Sequence, residues 1–127
     1  MEYLLGIDIG TSGTKTVLFD RDANPITAKT FEYPLYQEQN GWAEQEPNDW
    51  WEATVAGVKG VLEASGVNPA DIKGIGLSGQ MHGLVMLDEA GEVLRRSIIW
   101  CDQRTGEEVD DMNRMIGADK IIQITAN

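Results

Sequence analysis

Apolar positions in the first third of the chain come in three short runs, residues 3–9, 14–19 and 26–33. Between them lie Gly10-Thr11-Ser12-Gly13 and Arg21-Asp22-Ala23-Asn24-Pro25. Runs of this length bounded by turn residues predict strands, and their close spacing predicts an antiparallel three-strand meander. From Pro34 to Gln45 the pattern lapses into a polar and aromatic loop containing Gly41 and Trp42. Glu46-Pro47 then opens a helix, because proline suits the first turn, where its missing N–H is not needed. Trp51, Val55, Val58 and Leu62 recur at helical spacing and predict the face turned toward the sheet, with Gly66 as the stop. Residues 72–78, 84–87 and 97–100 predict further short strands. Thr105-Gly106-Glu107-Glu108 has the form of a capping box, followed by Val109, Met112 and Ile116 on one helical face. The expected architecture is mixed α/β without an internal repeat, and no linker marks a domain boundary.

Length and charge narrow the picture. With 127 residues the chain is one domain's worth of material, enough to bury roughly two-thirds of its unfolded surface. No apolar run approaches the roughly 18 residues of a membrane span, so no membrane partner is expected. Asp and Glu outnumber Lys and Arg by 21 to 10, a formal charge of −11. Such a field repels phosphate backbones and argues against nucleic acid as a partner. It also means that an anionic ligand needs local donors strong enough to overcome it. The single cysteine, Cys101, rules out an internal disulfide, and Met1-Glu2-Tyr3 leads into the first strand without a signal region, so the expected location is the cytoplasm.

The segment from Gly6 to Lys15 places an acid, Asp8, near the end of an apolar strand, then the turn Gly10-Thr11-Ser12-Gly13, then a base, Lys15. Glycines admit close approach of an anion, backbone N–H groups and the Thr11 and Ser12 hydroxyls can donate to phosphate oxygens, and Asp8 can hold hydrated Mg²⁺ beside them. A plain hairpin turn with exposed polar residues is the alternative. Burial of Asp8 in its strand, which is costly without a cation or donors, is the expectation that favours the phosphate loop. A Walker-type loop is excluded, since no Gly-Lys-Ser or Gly-Lys-Thr follows the required spacing.

Gly74-Ile75-Gly76-Leu77-Ser78-Gly79 matches the dinucleotide fingerprint letter for letter. That fingerprint requires a strand, a glycine turn and then a helix, whereas here the glycines sit inside an apolar run and the next run is again strand-like. Small residues that admit close backbone packing are the more economical account. Gln80-Met81-His82 follows, with the only histidine of the chain. Lone histidines and methionines are commonly structural. An amide, an imidazole and a flexible apolar side chain at a strand end also suit a sugar, with its hydroxyls on one edge and C–H surface on another. Nothing nearby has the spacing of a zinc site.

Leu77-Ser78-Gly79-Gln80-Met81-His82-Gly83, together with Ile98-Ile99-Trp100-Cys101-Asp102-Gln103-Arg104-Thr105, is similar to the paired signature of the FGGY carbohydrate kinases, and the Gln-Met-His version resembles the xylulokinase type. The likeness extends over essentially the whole chain, including Trp42-Ala43-Glu44-Gln45-Glu46-Pro47 and Trp50-Trp51. Glycerol kinases carry arginine and glutamate where this chain has Met81 and His82. The loop from Asp8 to Lys15 resembles the first phosphate loop of the actin, sugar kinase and heat-shock ATPase superfamily. The resemblance implies an α/β, ribonuclease H-like (actin-like ATPase) mixed sheet with flanking helices, of which residues 1–127 are the N-terminal part of the first of two domains, truncated before the catalytic base, the second phosphate loop and the adenosine site. It implies transfer of the γ-phosphoryl of ATP to D-xylulose, with Mg²⁺ as cofactor and a homodimer as the full-length state. Asp8 would act near Mg²⁺ and the γ-phosphate as a catalytic and metal-binding residue, Gly10, Thr11, Ser12 and Lys15 would line the phosphate path, and Gln80, Met81 and His82 would face the sugar. Trp100 would offer its ring to a C–H face. Asp102 and Arg104 would either bind hydroxyls or fix the loop as a structural pair, and Trp50 and Trp51 are assigned to packing. The rivals are another sugar kinase of the family and a stand-alone sugar-binding module. An ATPase of the actin or heat-shock kind would share the first loop but leaves Gln-Met-His without a purpose.

Overall fold

Alternation along the first strand decides how the sheet is covered. In the computed structural model, which describes residues 1–127, β1 (Tyr3–Ile9) buries Leu5 and Ile7 while Leu4 and Asp8, one residue out of phase, are exposed. Period-2 side-chain direction therefore gives the sheet one packed face and one open face. β2 (Gly13–Asp20) and β3 (Pro25–Glu32) complete the antiparallel meander, and β5 (Ile72–Gly79) pairs in parallel with the other side of β1. The resulting order is β3-β2-β1-β5, the mixed sheet that the sequence predicts.

α1 (Pro47–Ser65) lies across β2 and β3. Pro47 occupies its first turn, and Gly66 ends it at φ 68°, donating its N–H to the Leu62 carbonyl at 2.9 Å. The buried stripe is Ala53, Gly57 and Val61, rotated from the expected face, and Trp51 is 69% exposed. The reason is a close approach. A Cβ added at Gly57 would sit 2.3 Å from Thr16 Oγ1 and 3.1 Å from Thr16 Cβ, so the helix meets the sheet through its smallest residues. Leu5, Leu18 and Val61 form the small core beneath it, with Val58 and Ile72 packed alongside.

Gly57→Ala is accordingly expected to destabilise the fold by about 1–2 kcal/mol, overpacking outweighing the gain in helix propensity. Thr16 is fully buried and its hydroxyl has no hydrogen-bond partner, so Thr16→Ala removes the nearer obstacle, Oγ1, and a poorly satisfied polar group, while the Cβ contact at 3.1 Å remains. Urea denaturation of the two single variants and the double variant checks this; the Gly57→Ala penalty should be smaller in the Thr16→Ala background.

Beyond α1, a two-stranded ribbon pairs β4 (Glu44–Gln45) with β6 (Ser97–Ile98) and carries the loop ahead of α1 to the end of the sheet. Residues 84–87 form no strand: Leu84 and Leu87 each make a single bridge, to Ile98 and Val93. α2 (Gly106–Ile116) follows Thr105, whose side chain makes no capping hydrogen bond, and α3 (Ala118–Thr125), which the sequence reading omits, packs on α2. All the glycines of the fingerprint-like segment lie within β5, and Gln80 follows it in coil rather than helix. A Cβ at Gly79 would stand 2.7 Å from the Ile9 carbonyl oxygen, the close backbone packing expected of this run.

Candidate active-site cleft

The end of β1 and the end of β5 lie side by side, with Ile9 opposite Gly79 in register. Parallel pairing thus brings the turn after β1 against the segment after β5, and the Gln80 N–H donates to the Ile9 carbonyl at 2.9 Å. Between them opens a cleft of about 370 Å³, with Gly10 and Thr11 on one wall, Gly79, Gln80, Met81 and His82 on the other, and Trp100 contributed by the loop after β6.

The glycine turn is held open from behind. The Gly10 N–H donates to the Gly13 carbonyl at 3.0 Å, and the Tyr33 hydroxyl donates to the Gly10 carbonyl while accepting from Thr14. Burial pushes the Tyr33 phenol above its ordinary range, with a smaller contribution from the Asp8 charge, so it remains a neutral donor. The N–H groups of Thr11 and Ser12 meet no acceptor in the chain. Two free amides at an exposed turn form the kind of concavity that takes an anion.

Asp8 is exposed on the open face of the sheet, opposite Lys15 of β2 and Ser78 of β5. Asp8 is therefore not buried, contrary to the sequence expectation: the other residues of β1 carry no charge, yet only one face of the strand is covered. Asp8, Lys15 and Ser78 line a groove that adjoins the cleft rather than the cleft itself. No cluster of three potential metal-ligating side chains is present.

On the second wall, Met81 is 69% exposed and His82 has φ 65°, the left-handed region rarely adopted by residues other than glycine. Trp100 is 57% exposed, and its indole N–H donates to Thr11 Oγ1 at 2.9 Å. Gln45, fully buried in β4, donates from Nε2 to the Thr11 carbonyl at 2.6 Å. Its Oε1 accepts from Gln80 Nε2 at 2.8 Å and from the Trp50 indole at 3.1 Å. Trp50 thus has a polar task besides packing, and Trp51 is largely exposed.

Asp102 and Arg104 stand outside the cleft. The Asp102 carboxylate accepts the Ala43 N–H at 2.6 Å, the Arg104 N–H at 2.9 Å and the Arg104 guanidinium at 2.7 Å. Arg104 in turn lies 3.7 Å over the Trp42 ring and reaches Glu44 at 3.3 Å, and Arg95 pairs with the same Glu44. These bonds use the pair's capacity within the chain and pin the loop after β6 to β4. The Arg104 side-chain bond, aided by the backbone donors, holds the Asp102 carboxyl at about 2. A depressed carboxylate stabilises the fold fully above its unfolded value near 4 and loses that contribution as pH falls toward 2. Asp102→Asn is expected to lower stability at neutral pH and to flatten the pH dependence between about 4 and 2, measured by urea denaturation across that range.

Sequence reading identified the glycine turn, Gln80-Met81-His82 and Trp100, and the fold brings these together. It passed over Tyr33 and Gln45, whose partners are 23 and 34 residues away and leave no local pattern.

Residues 3–127 match the model of the FGGY family of carbohydrate kinases, N-terminal domain. The xylulose kinase of Bacillus subtilis (strain 168) is 42% identical over 127 residues, covering all of this chain and 25% of that protein. The glycerol kinase of Thermococcus onnurineus (strain NA1) is 31% identical over 112 residues, covering 88% of this chain and 23% of that protein. Among solved structures, a ligand-bound xylulose kinase from Lactobacillus acidophilus superposes with a TM-score of 0.88 at 30% identity, over 97% of this chain and 24% of that one. The ribonuclease H-like, actin-like ATPase architecture expected from the sequence is thus the one found, and the chain spans about a quarter of the length of the relatives it matches.

Proposed function

This chain belongs to the FGGY family of carbohydrate kinases, and from that membership and the cleft's geometry we propose that it is the N-terminal part of the first domain of a cytoplasmic kinase that transfers the γ-phosphoryl of ATP to D-xylulose, giving D-xylulose 5-phosphate. The observation that carries the reading is the shared cleft: Gly10 and Thr11 of the glycine turn, whose Thr11 N–H has no acceptor in the chain, line one cleft with Gln80, Met81 and His82. One wall suits an anion and the other a polyol, and phosphoryl transfer needs the two brought together.

Within this reading, the Thr11 and Ser12 N–H groups and hydroxyls receive phosphate oxygens, and Lys15 supplies positive charge in a strongly acidic chain. His82 orients a sugar hydroxyl. Gln80 has only the second hydrogen of its Nε2 to offer, because its Oε1 is buried and Nε2 already donates to Gln45. Met81 and the exposed Trp100 ring lie against C–H surface. The lone carboxylate of Asp8 fits Mg²⁺, which is commonly held by one or two carboxylates together with phosphate oxygens. Held by Asp8, Mg²⁺ would supply positive charge beside the phosphoryl group. Asp102 and Arg104 hold the loop that presents Trp100, and so act on the cleft from behind. Met81 and His82 in place of arginine and glutamate support xylulose over glycerol.

A substrate panel tests the assignment. With the complete enzyme and ATP, coupled ADP release should be fastest with xylulose and slow with glycerol, other pentoses and gluconate; preference for one of those would move the protein elsewhere in the family. The 127-residue chain alone is expected to show no turnover above an Asp8→Ala control, since the proposal places the proton-accepting group and the adenosine site in other parts of the kinase. Turnover by this chain alone would contradict that placement.

A further inference from the structure

Gln45 does more than fill space beneath the cleft. Its side-chain amide touches both walls, donating to the Thr11 carbonyl and accepting from Gln80. An amide can flip, and its two ends look alike in size, so what fixes its direction matters. The Trp50 indole is a donor only, and a carbonyl oxygen is an acceptor only. Trp50 at 3.1 Å therefore requires Oε1 on its side of Gln45, and the Thr11 carbonyl at 2.6 Å requires Nε2 on the other. Because Gln45 presents an oxygen to Gln80, Gln80 must answer with Nε2. Its own Oε1 is then left buried with no donor in the chain. Flipping Gln80 would not cure this, since it would set two oxygens against each other. The unsatisfied oxygen is thus a consequence of a direction imposed by Trp50.

We propose that Gln45 is a positioning residue that locks the phosphate turn and the sugar wall into one unit, its hydrogen-bond polarity set by Trp50. The turn is held at both ends of Thr11: Gln45 takes the carbonyl, and the Trp100 indole takes the hydroxyl. A change at Gln45 therefore reaches Trp100 through Thr11, although Gln45 makes no hydrogen bond to Trp100. The inference rests on the sugar kinase reading for its purpose, but the lock itself is a property of this chain.

The test follows the tryptophan indole N–H signals of the 127-residue chain by two-dimensional NMR, without sugar or nucleotide. Gln45→Glu keeps an acceptor for Trp50 and Gln80 but loses the donor to Thr11; Gln45→Met loses both functions at similar volume. The lock predicts that hydrogen exchange at the Trp100 indole rises about tenfold in both variants, the loss of roughly one hydrogen bond's worth of restraint. At the Trp50 indole it should rise only in Gln45→Met. Trp50→Phe, which leaves Gln45 in place and frees its orientation, should also loosen Trp100. Far-UV circular dichroism checks that each variant is folded, and Gln45→Glu carries the test if Gln45→Met is not. An unchanged Trp100 signal in folded Gln45→Glu overturns the lock. In the complete enzyme, Gln45→Glu should lower kcat about tenfold at saturating sugar and ATP, and an unchanged kcat would overturn the positioning role. Absence of sugar phosphorylation by the unmodified enzyme would instead overturn the functional reading, while the indole signals would still decide the lock.

Discussion

A complete kinase carrying Asp8→Ala is expected to bind sugar normally and to lose about a hundred- to a thousandfold in kcat, the usual cost of deleting a preorganised electrostatic partner of a phosphoryl group. Asp8 precedes the glycine turn by one residue, Ile9, and stands on the open face of the sheet between Lys15 and Ser78. The position makes the loss interpretable. The side chain is exposed and forms no hydrogen bond or ion pair with the rest of the chain, so alanine leaves no cavity and strands no donor, and stability should change by less than about 0.5 kcal/mol. Asp8→Asn, which keeps the shape and removes the charge, should be nearly as slow as Asp8→Ala. The apparent Mg²⁺ requirement of both should rise, because the carboxylate is the proposed contact to the metal-bound phosphate. Steady-state rates at saturating xylulose, with Mg²⁺ varied, check this. A modest loss of rate with an unaltered Mg²⁺ dependence would remove Asp8 from the reaction.

His82→Ala should act on the other substrate. His82 lines the cleft from a backbone at φ 65°, a conformation held by the surrounding structure rather than by local preference. Alanine meets the same backbone restriction, so this variant reports on the side chain, whereas glycine would also relax the main chain. In the proposed complex, loss of the imidazole would leave a sugar hydroxyl without its partner, at a cost of about 1–3 kcal/mol. That corresponds to a five- to hundredfold fall in kcat/KM for xylulose. The Michaelis constant for ATP should barely move. Varying each substrate in turn separates the two effects, and impaired ATP use with normal sugar kinetics would reverse the assignment.

The parts of the fold legible in the sequence are those set by local pattern. β1 coincides with its apolar run, β2 and β3 lie within a residue or so of theirs, and α1 starts at Pro47 and ends before Gly66, because turn chemistry and proline and glycine limits act over a few residues. The helix face was misplaced because hydrophobicity favours Trp51, whereas the fit to the sheet is decided by the absence of a side chain at Gly57. The sequence predicts a buried Asp8 because an apolar strand looks the same whether one face of its sheet is covered or both. Residues 84–87 carry strand-forming residues but lack a neighbour to pair with along their length. In the site, the turn and the Gln80-Met81-His82 wall were visible as motifs, while Gln45 and Tyr33 act through tertiary hydrogen bonds that no spacing encodes. For Asp102 and Arg104 the sequence left two roles open, and the bonds to Ala43, Trp42 and Glu44 favour the one that fixes the loop.

The central claim is that phosphate and sugar meet between the turn after β1 and the segment after β5. The most direct measurement is a crystal structure of the complete kinase with xylulose bound. It should show the sugar between Trp100 and the Gln80–His82 wall, with an oxygen within about 3.2 Å of the His82 ring and the hydroxyl to be phosphorylated directed toward Thr11. Xylulose bound elsewhere, with this cleft filled by protein, would contradict the account.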